Sequence, residues 1–348
     1  MTVYIGVDFH ARQQTISYLT TEDGAIQQLI LRHESKLEVR AFYEQFVGQQ
    51  VIVGFEASGY AAWFEELLEA LGHEIWIGHA TYIRQYAKRR QKNDRRDADL
   101  IRELLMRGDF PRIHRYSAAT RQVLQQLRYR QRLVKIRTMA TNMLLFMANS
   151  RGHSFGRQLK SKRGQARFAA LSLPEPLAQQ RTELLALLPQ LDQKIAAVEQ
   201  WLKARTAADQ AVQRLQTHPG IGLLTSICIR YTLDCVARFP NSRKVSAFAG
   251  FDPMEEQSAE RWRMGAISKQ GSRWLRFFLV EAGQVAIRKD AELGRVYKRI
   301  SLRGGHAKAK VAVARRLLVR AFIMLRDEID YAEFQRRGVA ARSSRGGA

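Results

Sequence analysis

Four carboxylates have the types and spacing to do chemistry: Asp8, Glu56, Asp94 and Asp97. Asp8 ends the apolar run Val3-Tyr4-Ile5-Gly6-Val7, and Glu56 ends a second, Val51-Ile52-Val53-Gly54-Phe55. Such runs read as strands, so both acids are expected at strand ends on one edge of a sheet. Asp94 and Asp97 are three residues apart, which puts them on one helix face, with Asn93 as a suitable N-cap. Asp99 falls on a different face and is left out. Four acids gathered together repel one another and raise each other's pKa unless a cation neutralises them. Oxygen donors without Cys or His select magnesium, with manganese as the alternative. Two such ions about 3.5–4 Å apart can clamp the attacking and leaving oxygens of a phosphodiester. Taken singly, each acid has an ordinary role as a cap or surface charge, and Asp94-Arg95-Arg96-Asp97 also fits a salt-bridged helix start.

The background charge points the same way. The chain has 57 Lys and Arg against 33 Asp and Glu, a formal net charge of +24. That balance sets up a positive field favouring polyanions, with DNA or RNA as the leading partner. With 348 residues and 46% hydrophobic content, the chain can build two compact cores. Cys228 and Cys235 form no CxxC pair and have no His at ligand spacing, so both are expected as buried thiols. The N-terminal residues read as a strand rather than a signal peptide, and no run approaches about 18 apolar residues. The expected location is the cytoplasm, with no membrane partner.

The elements that must position the acids follow from periodicity. Residues 3–8, 14–19 and 26–31 read as strands, the second and third joined at a Glu22-Asp23-Gly24 turn. Ser35-Lys36-Leu37-Glu38 is a capping box opening a helix to about Phe46. Strand 51–55, a helix from Tyr60 to Leu71 closed by Gly72, strand 75–77 and the Asp94 helix complete the order β-β-β-α-β-α-β-α, that of a ribonuclease-H-like domain. From Ala118 to Asn149 no Pro or Gly interrupts a single long helix. Residues 151–163 read as a basic loop, either a solvated linker or a segment ordered by nucleic acid. Leu188, Leu191, Ile195, Val198 and Leu202 form a coiled-coil seam, dependable from Pro189 onward, that fits either self-association or an intramolecular helix pair. From His218 to about Asp330 the chain reads as helical, with Ala314, Leu318, Ala321 and Leu325 buried and Lys308, Lys310, Arg315, Arg316 and Arg320 flanking them. The expected class is α/β plus all-α. The expected domains are an acidic domain at 1–115, a helical and coiled-coil region at 116–210, a mostly helical domain at 211–330 and a basic disordered tail at 331–348.

A second group of residues lies in the C-terminal part. Gly220 and Gly222, in Pro219-Gly220-Ile221-Gly222, fit a tight turn that lets backbone N–H groups approach a phosphate, and equally a purely structural turn. The stretch from Glu255 to Arg263 reads as a loop holding Ser258, Arg261 and Arg263, and Lys269 and Arg273 follow. A serine hydroxyl is a poor nucleophile without a base, a metal or charge stabilisation, which these cations can help supply. Ser268 and Ser272 are the neighbouring alternatives, the latter placed to cap a helix.

At these residues the chain resembles the DEDD insertion-sequence transposases, the family numbered one-ten, and the related pilin-gene invertases. Ile5-Gly6-Val7-Asp8, Phe55-Glu56-Ala57-Ser58-Gly59-Tyr60 and Lys92-Asn93-Asp94-Arg95-Arg96-Asp97-Ala98 resemble the three acidic motifs. His218-Pro219-Gly220-Ile221-Gly222, Phe248-Ala249-Gly250-Phe251-Asp252-Pro253 and Ile267-Ser268-Lys269-Gln270-Gly271 resemble the family's C-terminal transposase domain. The resemblance implies a RuvC-like N-terminal domain binding magnesium, and a C-terminal serine nucleophile at Ser258. It also implies nucleic-acid contacts at Arg261, Arg263, Lys269, Arg273, Gly220 and Gly222. A homo-oligomer whose two domains meet across protomers is implied too, as is a non-coding bridge RNA that pairs with donor and target double-stranded DNA. The chain departs from the family in having Ala259 where Gly usually follows the serine, and Ala11-Arg12 where a Lys usually follows the first acid.

The leading expectation is therefore a recombinase that cuts and rejoins DNA through a phosphoserine link. Its rivals are a metal-dependent structure-selective nuclease, a site-specific invertase and a non-enzymatic nucleic-acid packaging factor.

Overall fold

The computed structural model describes residues 1–22, 24–86, 93–258 and 261–343, of which 157, 160, 255–258, 261–264 and 339–343 are described by backbone alone. The chain divides into two compact units, Met1–Arg115 and Tyr116–Ala348.

In the first unit, β1 (Thr2–Phe9), β2 (Gln13–Thr20) and β3 (Ile26–Arg32) are followed by α1 (Lys36–Glu44), β4 (Gln50–Glu56), α2 (Ala62–Ala70), β5 (Glu74–Gly78), α3 (Ala80–Gln85) and α4 (Asp94–Arg107). This is the element order expected from the sequence, with α3 as an addition. Ser35 caps α1 by accepting from the Glu38 N–H at 3.3 Å. The expected turn residue Asp23 lies outside the described residues. The sheet runs β3-β2-β1-β4-β5. β1 and β3 are each antiparallel to β2, while β4 is parallel to both β1 and β5.

Alternation along the strands decides which face does what. Val3, Ile5, Val7 and Phe9 of β1 join Val51, Val53 and Phe55 of β4 in one core with Val39 and Tyr43 of α1 and Phe64 and Leu68 of α2. Tyr4 and Ile52 turn to the opposite face, where they meet Ile101, Leu104 and Leu105 of α4. Gly6 and Gly54 form the floor under that helix. A Cβ on Gly6 would stand 2.3 Å from the Ala98 carbonyl oxygen, and one on Gly54 2.8 Å from Leu105 side-chain atoms. The helix lies against backbone because these two positions have no side chain.

The second unit contains α5 (Ala118–Asn149), α6 (Lys162–Ala169), α7 (Leu177–Thr206), α8 (Gln210–Gln216), α9 (Leu223–Leu233), α10 (Ser242–Phe248), the hairpin β6 (Pro253–Ser258) and β7 (Arg261–Ile267), α11 (Arg273–Lys289), α12 (Ala291–Arg326, broken at Gly305) and α13 (Tyr331–Ser343). One apolar core runs through it, from Val123 and Leu127 of α5 and Leu191 to Leu202 of α7 to Leu275, Leu279, Leu318 and Leu325 of α11 and α12. Ala314, Leu318, Ala321 and Leu325 are buried as their spacing requires. Among the described residues no helix is long and apolar enough to cross a membrane.

Several expectations are resolved or corrected. Of the two readings of the α7 seam, the intramolecular helix pair holds: Leu188, Leu191, Ile195, Val198 and Leu202 are buried, and α7 pairs with α5 through Arg130–Glu199 and Arg137–Asp192. The helix also starts twelve residues before Pro189 and runs through it. One lost N–H costs less than the apolar contacts of Leu184, Leu185, Leu187 and Leu188 before the proline and of Leu191 after it. The supposed loop at 151–163 is packed, because Phe155 and Leu159 bury against Leu144, Met147 and Phe168. The stretch around Ser258 is a hairpin rather than a loop. Cys228 is buried but Cys235 is exposed. Arg320, expected at the surface, is buried, donating to the Asp290 carboxylate at 2.5 Å and to Glu292 at 3.0 Å. The tail expected to be disordered instead continues as α13, anchored by Tyr331, whose hydroxyl donates to Asp290 and whose ring lies 4.4 Å from that of His218. Composition cannot show that a buried acid waits for it. Residues 344–348 lie outside the described residues.

Candidate functional site

In the first unit, the parallel register pairs Gly6 with Gly54 and Val7 with Phe55, so Asp8 and Glu56 follow at one level on adjacent strands. By alternation both side chains take the α4 face. Asn93 caps α4 by accepting from the Arg95 N–H at 3.0 Å, which places Asp94 and Asp97 in its first turn. Acids are favoured there by the helix dipole. Asp8, His10 and Asp94 each offer a ligand atom, all within 4.8 Å of one another. His10 Nε2 lies 3.0 Å from Asp8 Oδ2 and 3.7 Å from Asp94 Oδ2. Burial pushes the Asp8 carboxyl above its usual range; His10 opposes this, and the charges of Asp94 and Asp97 add to it. Asp97 thus belongs to the same electrostatic environment without joining the three-ligand group, and Glu56 is likewise outside that group. Asp99 is engaged elsewhere, accepting from Ser17 at 2.6 Å and from Gln28 at 2.7 Å.

His10 was missed by reading the sequence, where the donor set was expected to be oxygen alone. Its spacing held the signal: position 10 lies two residues beyond Asp8, just past the end of β1, where alternation returns a side chain to the face of Asp8.

In the second unit, Gly220 has φ +97°, and a Cβ there would stand 2.6 Å from the Ala282 carbonyl. Its freedom serves close packing on α11. Gly222 has open space around it and begins α9, whose first amides have no side-chain cap. Ser258 ends β6, its backbone paired across the hairpin with Arg261; the side chains of Ser258, Arg261 and Arg263 lie outside the described residues. Ser268 donates to the Asp252 carboxylate at 2.6 Å, and Ser272 caps α11 by accepting from the Leu275 N–H at 3.2 Å. Lys269 has a left-handed backbone, φ +55°, with an exposed side chain. Arg276 bonds the Ala249 and Gln270 carbonyls, both at 3.0 Å, and thereby ties the two motif segments together. Arg273 opens α11 with its guanidinium 4.7 Å from the Trp274 ring.

Comparison with known proteins decides the family. A DEDD transposase model matches residues 5–147, and the transposase model of the IS116/IS110/IS902 family matches residues 212–298. The chain belongs to the DEDD insertion-sequence transposases. It is 27% identical to a probable family 20 transposase of Pseudomonas aeruginosa, over 74% of this chain and 77% of that protein. It is 29% identical to the transposase for insertion sequence element IS1111A of Coxiella burnetii, over 68% of this chain and 66% of that protein. A transposase for insertion sequence element IS1328 of Yersinia enterocolitica is 29% identical, over 68% of this chain and 71% of that protein.

The donor set of the transposase fits a divalent cation. Two carboxylates and an imidazole offer ligand atoms within 4.8 Å of one another, and burial, opposed by His10 and reinforced by Asp94 and Asp97, already raises the Asp8 carboxyl, a cost that a cation would relieve.

Proposed function

We propose that this transposase cuts and rejoins donor and target double-stranded DNA through a phosphoserine intermediate, with the serine contributed by the second unit and the acids by a ribonuclease-H-like, RuvC-like first unit. The convergence of Asp8, His10 and Asp94 at the sheet edge of a DEDD chain carries this reading. Asp8, Glu56, Asp94 and Asp97 hold magnesium or manganese, with His10 as an additional donor. A bound divalent cation supplies Lewis-acid polarisation of the scissile phosphate.

Ser258 is the nucleophile. Its Oγ forms a bond to phosphorus as one P–O ester bond breaks, and the departing hydroxyl of the strand takes up a proton. A hydroxyl from another strand later reverses the exchange, so one ester is made for each one lost and no external energy is consumed. The engagement of Ser268 with Asp252 and of Ser272 as a helix cap supports Ser258 over its neighbours. Arg261, Arg263, Lys269 and Arg273, with the amides after Gly220 and Gly222, position the phosphate backbone. The +24 charge suits a bridge RNA bound together with two duplexes.

Self-association is assigned to α5 instead of α7. Tyr129, Ile136, Met139, Met143 and Phe146 are all exposed on α5, and their steps of seven, three, four and three match a heptad seam. A second copy of the same helix presents the same pattern.

The test is covalent trapping. Wild-type protein incubated with donor DNA and Mn²⁺ forms a denaturant-resistant adduct that maps by mass spectrometry to Ser258, and Ser258→Ala forms none. If Ser258→Ala still cuts DNA as fast as wild type, the protein is a water-using nuclease and the phosphoserine reading fails.

A further inference from the structure

A cavity of about 450 Å³ opens in the second unit between the start of α5, α9 and the N-terminus of α11. Its volume falls within the range of about 300–1,000 Å³ typical of small-molecule sites. Two guanidiniums line it, those of Arg128 and Arg273, and no carboxylate does among the described lining residues. Arg128 is exposed at the cavity mouth and has no ion pair among the described residues, so its charge is free to meet an anion. Its charge is felt by neighbouring groups: it favours the ionised forms of the Tyr116 hydroxyl and the Cys228 thiol.

The remaining walls are aromatic and apolar. Trp274 and Phe248 offer ring surfaces, Tyr116 adds a third, and Cys228 and Thr232 are buried lining residues. The Tyr116 hydroxyl already donates to the Thr232 carbonyl at 2.9 Å, so the ring is held in place before any ligand arrives. Phe277 stands edge-on to Trp274, ring centroids 6.3 Å apart, and supports it from outside. Two unneutralised cations beside fixed aromatic faces match one ligand chemistry, a phosphate joined to a flat heterocycle.

We infer that this cavity takes a single unpaired nucleotide, with its phosphate between Arg128 and Arg273 and its base against Trp274 and Phe248. Such a site would hold a strand beside the hairpin that carries Ser258, because Gly271 and Ser272 of the connection from β7 to α11 form part of the cavity wall. This rests on the nucleic-acid reading proposed above, but not on its phosphoserine chemistry. The unpaired nucleotide could come from DNA or from RNA, and the two share this recognition chemistry.

The full-length protein is titrated with a 5′-phosphorylated, fluorescein-labelled single-stranded pentanucleotide at fixed salt, in deoxy and ribo forms, with Kd read by anisotropy. Arg128→Gln and Trp274→Leu are each expected to weaken binding at least about tenfold. The controls Arg299→Gln and Trp201→Leu, outside the cavity, are expected to change it less than about threefold. The conservative variants Arg128→Lys and Trp274→Phe should recover part of the loss, and ultraviolet crosslinking should label a peptide containing Trp274. A preference for the deoxy or the ribo form identifies the source. Cavity variants that weaken binding no more than the controls, or crosslinks that fall only elsewhere, overturn the proposal. Asp8→Asn, expected to be inactive in strand exchange, keeps full pentanucleotide affinity, so failure of this site and failure of the catalytic reading are read separately.

Discussion

His10 Nε2 stands 3.0 Å from the Asp8 carboxylate and reaches toward Asp94 on a separate element. An imidazole held between two acids is either a third ligand or a resident counter-charge, and titration with Mn²⁺ separates the two. We expect Asp8→Asn and Asp94→Asn each to reduce strand exchange by on the order of 10³-fold and to abolish Mn²⁺ binding measured by calorimetry. His10→Ala is expected to weaken Mn²⁺ by at least about tenfold, a loss of about 1.4 kcal/mol. Unchanged Mn²⁺ affinity in His10→Ala would leave the histidine as a counter-charge alone.

The placement of Asp94 depends on Gly6. A methyl group there meets the backbone of Ala98 and Arg102, which cannot rotate away as a side chain can. Gly6→Ala is expected to destabilise the protein by about 1–3 kcal/mol and to lower metal affinity with it, by lifting the helix that carries two of the acids. Chemical denaturation and metal titration of the same sample check both. A variant that is destabilised yet binds metal normally would separate the helix seat from the site.

The Arg320 cluster makes stability depend on pH. Burial lowers the His218 pKa from 6.5 to about 4, so between those values the unfolded chain binds more protons. Stability from this residue is therefore complete above pH 6.5 and falls as pH drops to about 4, by roughly 3 kcal/mol. Asp290, despite its burial, is held down to about 2 by bonds from Tyr331, the Leu293 N–H and Arg320. Its contribution is present above 3.8 and is lost as pH falls toward 2. Urea denaturation from pH 7 to pH 3 should show the first slope in wild type and a flattened one in His218→Gln. Equal slopes in the two proteins would remove His218 from the account.

The two long helices can be told apart by mutation. Ile195→Ala, inside the α5–α7 contact, is expected to cost about 2–5 kcal/mol of stability. Met143→Lys on the exposed α5 stripe is expected to leave the melting point of dilute protein within a degree or two and to shift the assembly to smaller species in analytical ultracentrifugation. Unchanged sedimentation would show that the stripe is not a self-association surface.

The two cysteines should differ in reactivity. Cys235 is exposed, whereas burial pushes the Cys228 thiol up to about 12. Iodoacetamide at pH 8 is expected to modify Cys235 alone in the native protein and both in denaturant, read by peptide mass.

The sequence by itself determined the order of the first unit, the long α5, the α4 cap at Asn93 and the edge on which Asp8 and Glu56 sit. Each of these rests on short-range periodicity or on hydrogen bonds between residues a few positions apart, and local physics leaves such marks in the chain. Tertiary structure alone decided the rest. The α7 seam fitted either a second copy or an intramolecular partner because that partner lies 55 to 69 residues earlier on α5, and Pro189 looked like the dependable start because the contacts that carry the helix past it belong to other elements. Arg320 read as a surface cation, and the segment from Tyr331 as a tail, because Asp290, which holds both, approaches them only when α11, α12 and α13 assemble. His10 entered the site in the same way: its neighbour Asp8 is two residues away, but Asp94 arrives from α4 only because Gly6 and Gly54 leave the sheet bare beneath that helix. Charge pairs and glycine seats are long-range facts, fixed by close packing between elements that the linear order keeps apart.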